Sequence, residues 1–327
     1  MSMMPDRLAV RELLRQIGMK ISEKQIVPVH GGTVNLAFRV DQGGDAPLVV
    51  RIAPSDDEAA AGPSWLTSHG LRREQTTIRL LSEDIAALMP RTVHFDDTRT
   101  LIDRDWVVQT WVRGDAWAEL GAQLSQDESL RLWRELGRLT RGIHTSVSET
   151  FGPPEAGLGF TTWSDLVRWD VTGLLVDADR FGLDTTPFQR LERIVDRAVP
   201  ILNRIREARL IHSDLGQRHV FVSRDADSVP HISGLIDFEF ARFADPASES
   251  VFIKEALSPS HDGREEAFCE GYGCARPTRD DLVRRDIYLA VALGWNVTDM
   301  MRQNRPKQMP AMLTRLHGVL DGVDAMM

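Results

Sequence analysis

The chain has 327 residues, 42% of them hydrophobic, and a formal net charge of −9. That is about twice the usual domain size of roughly 150 residues, so two domains or one two-lobed unit with a sizeable core is expected. No run of Lys/Arg exceeds two residues, which disfavours a nucleic-acid partner and leaves a cationic ligand as the better match to the charge. Divided at Thr110, the charge is 13 − 15 = −2 before and 26 − 33 = −7 after, so the acidity lies in the second part. Only four of the 39 basic residues are lysines. Cys269 and Cys274, the only two cysteines, neither staple a chain this long nor complete a four-ligand zinc site. They read as free thiols in a reducing compartment. The N-terminus carries charges where a secretory signal needs its apolar run, and no stretch reaches the roughly 18 apolar residues of a membrane span. A cytoplasmic protein with no membrane partner is expected.

In chain order, Leu8, Val10, Leu13, Leu14 and Ile17 recur at helical spacing, and 26–40 and 48–52 read as strands joined by a Gly-rich turn. Residues 56–69 are polar. A helix-like pattern of Ile78, Leu80, Leu81 and Ile85 follows Glu74, and strands are predicted around 92–95 and 106–111. This is the grammar of a small α+β lobe. After Val112 the pattern changes: Ser125-Gln126-Asp127-Glu128 is a capping box opening a long helix through Ile143. Thr186-Pro187 opens another toward Ile205, which Pro200 should kink or split. The expected organisation is a small N-terminal lobe, 1–112, and a mainly helical second lobe, 113–327, with a β-rich insert at 210–243.

The insert holds the densest cluster of reactive side chains. Val220–Val222 and Ile232–Ile236 flank a hairpin turn, so Asp214 and His219 enter one strand while Asp237 ends the next. Two carboxylates and a histidine at such strand ends can hold a divalent ion and orient a hydroxyl. Two chemistries stay open on that ground alone. One is magnesium-dependent phosphoryl transfer; the other is hydrolysis by a transition metal held by His212, Asp214, His219 and Asp237. Phosphoryl transfer also needs a phosphate-covering turn and a cation, and HGGTVNLAFRV at 30–40 with VVRI at 49–52 offers both.

With these motifs, nearly the whole chain resembles the aminoglycoside phosphotransferase family, small-molecule kinases of protein-kinase-like fold. The matching segments are Gly31-Gly32-Thr33-Val34-Asn35, Arg51, Glu74, His212-Ser213-Asp214 through His219, and Ile236-Asp237-Phe238-Glu239 through Asp245-Pro246. The resemblance implies an α+β, two-lobed fold, with a small β-rich nucleotide-binding N-lobe, 1–112, and a larger, mainly helical catalytic and substrate-binding C-lobe, 113–327. It implies Asp214 as the catalytic, hydroxyl-orienting group. Gly31, Gly32, Asn35, Arg51 and Glu74 would bind the nucleotide, with Gln109, Thr110 and Trp111 as the hinge that receives its base. Asp237 and His219 would bind Mg2+, and ATP or GTP would be the donor. Glu239, Glu266 and Glu270 are the candidate substrate-binding acids, although the run around Glu266 equally reads as a solvated helix face.

Three departures stand out. Arg51 replaces the usual Lys and binds phosphate as a planar fork. His219 replaces the loop Asn, whose amide it cannot reproduce. Ser213 replaces the usual Gly. His219 resembles the macrolide phosphotransferases, whereas FGPPEAGLGFTTWSDLV at 151–167 resembles the hygromycin B phosphotransferases. The implied acceptor is a hydroxyl of an aminoglycoside-like antibiotic, in resistance or self-protection. A macrolide, a basic peptide antibiotic or a primary metabolite are alternatives, and a non-catalytic nucleotide-binding relative or a metal-dependent hydrolase are the readings from other classes. Asp245 before Pro246 reads as a helix N-cap.

Overall fold

The structure is a computed structural model that describes residues 5–29, 34–63, 69–155, 157–257 and 261–327. Chain contacts divide it into two units: Met1–Ala61, Ser68–Gly121 and Gln217–Glu239 form the first, and Gly62–Thr67, Ala122–Gly216 and Phe240–Met327 the second. The hairpin after Gln217 therefore groups with the N-terminal elements, whereas the change of sequence grammar fell once, at 112/113.

In chain order the first elements are α1 (Arg7–Gln16), β1 (Ile26–Val29), β2 (Leu36–Val40), β3 (Leu48–Ile52), α2 (Asp56–Ala60), α3 (Gly70–Ile78), α4 (Glu83–Ala86), β4 (Thr92–Asp96), β5 (Trp106–Thr110), β6 (Asp115–Ala116) and α5 (Trp117–Leu120). Five of the strands form an antiparallel sheet ordered β1-β2-β3-β5-β4. Alternation along β3 decides which residue goes where. Leu48, Val50 and Ile52 pack with Val10, Leu13 and Leu14 of α1, so Arg51 projects from the other face. There Leu71 of α3 packs on Val107. The helix pattern after Glu74 is corrected: α3 ends at Ile78 and Ile85 belongs to the separate α4, because Ser82-Glu83-Asp84 starts a new helix. The polar stretch at 56 is helical too, opened by a Ser55/Glu58 capping box.

The chain continues with α6 (Gln126–Ile143), β7 (Val147–Ser148), α7 (Trp163–Arg180), α8 (Thr186–Leu202), β8 (Ala208–Ile211), β9 (Val220–Arg224), β10 (Pro230–Leu235), β11 (Arg242–Ala244), α9 (Ser250–Leu257), α10 (Arg264–Tyr272), α11 (Arg279–Arg302) and α12 (Met309–Met326). The hairpin β9-β10 pairs with β6, while β7, β8 and β11 form a second small sheet. The expected capping box opens α6. Pro200 does not split α8, which runs to Leu202; in the last turn its ring meets few further helical hydrogen bonds. Met309 and Met312 pack with Leu174, Phe188 and Val297 in the helical core. Gly137 of α6 and Gly271 of α10 lie where an added Cβ would meet the facing helix's backbone, so glycine permits their close crossing. Trp163 is buried and donates to the Tyr288 hydroxyl at 2.6 Å, whereas Trp169 is exposed beside Phe160.

The cysteines correct the sequence reading: Cys269 and Cys274 are joined as a disulfide, with Cα atoms 4.9 Å apart. Gly273, left-handed at φ 85°, ends α10 and turns Cys274 back toward Cys269. Among the described residues, no helix is long and apolar enough to cross a membrane.

Candidate active site

In the first unit, Arg51 is the centre of an acidic cluster. Its Nη1 donates to both oxygens of Glu74, at 2.8 and 2.7 Å, and its Nη2 to Asp237 Oδ1 at 3.1 Å, with Glu239 Oε2 at 3.6 Å. The planar fork thus meets an acid from α3 and another at the end of β10, which a single ammonium would do less readily. Glu74 is buried and takes a further hydrogen bond from Gln109 Nε2 at 2.9 Å, so it is no solvated helix-face carboxylate. Asp237 adopts φ 72°, a left-handed backbone that a non-glycine residue holds at about 1–2 kcal/mol. His219 Nε2 lies 3.5 Å from Asp237 Oδ2, and the His219 carbonyl accepts from Ile236 N–H at 3.0 Å.

Glu239 sits in this cluster, buried, with Asn35 Nδ2 donating to its Oε2. Arg73 ties down its backbone carbonyl at 2.7 Å. Burial first, then the neighbouring Asp237 charge, push its carboxyl up to about 8 against the opposing pull of Arg51. Three carboxyl groups, Glu74, Asp237 and Glu239, surround one guanidinium. That excess of oxygen donors suits a hard divalent cation held by one or two carboxylates together with phosphate oxygens. Among the described residues, no three His, Cys, Asp or Glu side chains form a ready-made metal cage.

The predicted hinge lies on β5 and just beyond it. Gln109 turns its side chain to Glu74, while Thr110 and Trp111 donate their backbone N–H groups to Arg91 O at 2.9 Å and Pro47 O at 3.1 Å. The Arg39 guanidinium lies over the Trp111 ring, 5.5 Å from its centroid. Gly31 and Gly32 fall outside the described residues.

In the second unit, Asp214 sits on the loop after β8, partly exposed. Lys254 Nζ of α9 reaches its Oδ1 at 2.8 Å. The loop is held from beneath by Glu249, which sequence reasoning missed. Its Oε2 accepts from His212 N–H at 2.7 Å and its Oε1 from Ser213 N–H at 3.1 Å and Ser250 N–H at 2.7 Å. Burial alone would raise this carboxyl; His144, with Nε2 at 3.6 Å, and His212 with its backbone N–H outweigh it and hold it down to about 2. His144 Nδ1 in turn meets the Tyr272 hydroxyl at 2.9 Å.

His212 is buried, with its Nδ1 accepting from Asp214 N–H at 3.3 Å, a loop-shaping role. Ser213 takes φ 70° and buries its hydroxyl without a hydrogen-bond partner among the described residues. Asp245 caps the turn at Pro246–Ser248 and binds Arg284 at 2.9 Å and Tyr288 at 2.7 Å, a structural role. Glu266 and Glu270 lie exposed on α10, where Glu270 pairs with Arg134 at 2.7 Å. The only signal for Glu249 was an acid shortly after the Asp245-Pro246 cap.

Residues 25–283 match the profile of the phosphotransferase enzyme family, and no curated protein matches the chain. Among solved structures, a thermostable mutant of aminoglycoside phosphotransferase APH(4)-Ia, in ternary complex with AMP-PNP and hygromycin B, superposes with a TM-score of 0.68 at 17% identity, over 96% of this chain and 98% of the other. The GDP complex of a mutant aminoglycoside 2'-phosphotransferase-IIIa gives 0.67 at 20% identity, over 97% and 98%. A protein assigned as a fructosamine-3-kinase, from Thermobifida fusca, gives 0.65 at 16% identity, over 98% and 99%. These likenesses identify the protein-kinase-like fold. With a family match spanning well over half its length, the chain belongs to the phosphotransferase enzyme family, as a small-molecule kinase.

Proposed function

We propose that the protein transfers the γ-phosphoryl group of ATP or GTP to a hydroxyl of a small cationic molecule, aminoglycoside-like in chemistry. The observation that carries this reading is the Arg51 fork, which joins Glu74 of a helix to Asp237 at a strand end. A cation held in that frame anchors nucleotide phosphates, and the surplus carboxylates call for a divalent metal beside them. Asp237, with His219 next to it, would hold Mg2+, which when bound offsets charge on the phosphate oxygens. Asn35 would release Glu239 to face the phosphates, and Gln109 would keep Glu74 directed at Arg51.

Asp214 orients the acceptor. The hydroxyl oxygen attacks the γ-phosphorus, the bond from that phosphorus to the β,γ-bridging oxygen breaks, the nucleoside diphosphate leaves with those electrons, and the hydroxyl proton passes to the Asp214 carboxylate. Positioning and charge neutralisation supply the rate. The −7 of the second part of the sequence favours a cationic acceptor, with Glu266 and Glu270 the exposed acids to meet it. The product monoester would add a charge of about −1.5 to −2 and block recognition of an antibiotic.

The protein with MgATP or MgGTP and pooled aminoglycosides, macrolides and basic peptide antibiotics should yield an adduct heavier by about 80 Da, the mass of a phosphoryl group. Its absence, with nucleotide bound, would favour a relative that binds without transferring, a reading to which the engagement of Asp237 by Arg51 lends its weight. Absence of nucleotide binding would overturn both.

A further inference from the structure

The first turns of α9 form a complement to the backbone of the 212–215 loop. Glu249, just before the helix, accepts the N–H groups of His212 and Ser213. On the donor side, Ser250 Oγ gives a hydrogen bond to Leu215 O at 2.8 Å. Four residues on, one helical turn later, Lys254 Nζ gives to the same carbonyl at 3.1 Å, to Asp214 O at 3.4 Å and to Asp214 Oδ1 at 2.8 Å. An ammonium has three donors in a tetrahedral array, and three oxygens of one loop converge on it; a planar guanidinium cannot match that set. Lysine stands here in a chain that otherwise almost always chooses arginine. Gly216 leaves the space: a Cβ there would lie 2.9 Å from Nζ. An exposed ion pair alone would contribute little, but this ammonium is also fixed by two backbone carbonyls, so the carboxylate it holds is fixed relative to the loop.

We propose that Lys254 is the positioning residue of the transfer step, its ammonium clamping the Asp214 carboxylate to its own loop so that the acid meets the acceptor hydroxyl in one orientation. This deepens the proposed phosphoryl transfer and rests on Asp214 as its acid. The partner class is set by the chemistry: any hydroxyl acceptor, water included, passes through the same clamp.

The test is a double-mutant cycle on the full chain, with MgATP and MgGTP as donors and water or hygromycin B as acceptor. Lys254→Met should lower kcat about tenfold to a hundredfold, the effect of removing one charge-assisted contact, while KM for the nucleotide stays within about twofold. Lys254→Arg should recover only part of the loss, and Gly216→Ala should lower kcat in the same direction with every charge retained. In an Asp214→Asn background, Lys254→Met should change kcat no further, whereas a purely structural clamp would lower it again. The pair is read independently of turnover by the acylation rate of Lys254 with a soluble N-hydroxysuccinimide ester, expected to rise in Asp214→Asn. An unchanged acylation rate refutes the ion pair. An active wild type whose Lys254→Met variant keeps kcat within twofold overturns this proposal and leaves the kinase reading standing. A wild type that turns over neither nucleotide overturns the kinase reading and the positioning role with it.

Discussion

Two buried glutamates, one in each unit, are displaced in opposite directions. Glu239 is pushed up to about 8, while Glu249 is held down to about 2. Burial disfavours the charge in both, so burial does not decide the outcome. Glu239 receives one amide N–H, from Asn35, and faces Asp237 and Glu74 across a single shared guanidinium. Glu249 receives three backbone N–H groups, and two histidines stand beside it. Donors matched to acceptors make a rigid support; acids in excess of donors leave a site that still lacks positive charge. The first pattern belongs to a loop that must hold its shape, the second to a place where a cation and its phosphates are expected.

The most severe way to break the contrast is Glu249→Leu, which leaves the His212, Ser213 and Ser250 N–H groups buried without their acceptor. A loss of about 3–5 kcal/mol is expected, read by chemical denaturation against wild type. The milder Glu249→Gln sharpens it through pH. Folding lowers this carboxyl from 4.5 to about 2, so its contribution is present above pH 4.5 and is lost as pH falls through 2. The advantage of wild type over the Gln variant should therefore shrink across that acid window.

Arg51→Ala leaves three acids with no cation and should destabilise by about 2–3 kcal/mol, with a parallel loss of nucleotide affinity in titration calorimetry. Arg51→Lys should recover part of both, since it keeps the charge and loses the fork. Glu239→Gln works in the opposite sense to Glu249→Gln. Folding raises this carboxyl from 4.5 to about 8, so its contribution is full below pH 4.5 and is lost as pH rises through 8. The Gln variant should gain on wild type as pH rises between those limits, seen as a thermal-shift difference that grows with pH. The smallest expected effect is that of Ser213→Gly, which relieves the left-handed backbone and removes a buried hydroxyl. A stabilisation of up to about 1 kcal/mol, with turnover retained, is expected.

Much of this was legible in the sequence because it depends on side-chain type at local spacing. The Ser125 capping box, the alternation that turns Arg51 away from Val50 and Ile52, and the hairpin that brings His219 near Asp237 are all local signals. Helix ends were less so: apolar spacing ran through Ser82, although α4 begins there afresh. The support of the Asp214 loop was invisible for a different reason. Glu249 and Lys254 address backbone N–H and carbonyl groups 36–40 residues upstream, and no side-chain pattern encodes such partners. Glu239, a candidate substrate-binding acid in the sequence, sits in a three-residue helical turn, too short for periodicity to say which way it points, and lies beside Arg51 and Asn35. The disulfide was likewise hidden, since spacing alone does not reveal the left-handed Gly273 that closes it.

In the proposed reaction Asp214 directs a hydroxyl at a nucleotide held by Arg51. This role of Asp214 is tested most directly by rapid-quench, single-turnover phosphoryl transfer from MgATP or MgGTP, measured beside nucleotide affinity in wild type and Asp214→Asn. The prediction is an unchanged Kd, within about twofold, with transfer slowed by about 10²–10⁴. A folded Asp214→Asn protein that transfers at the wild-type rate would contradict it.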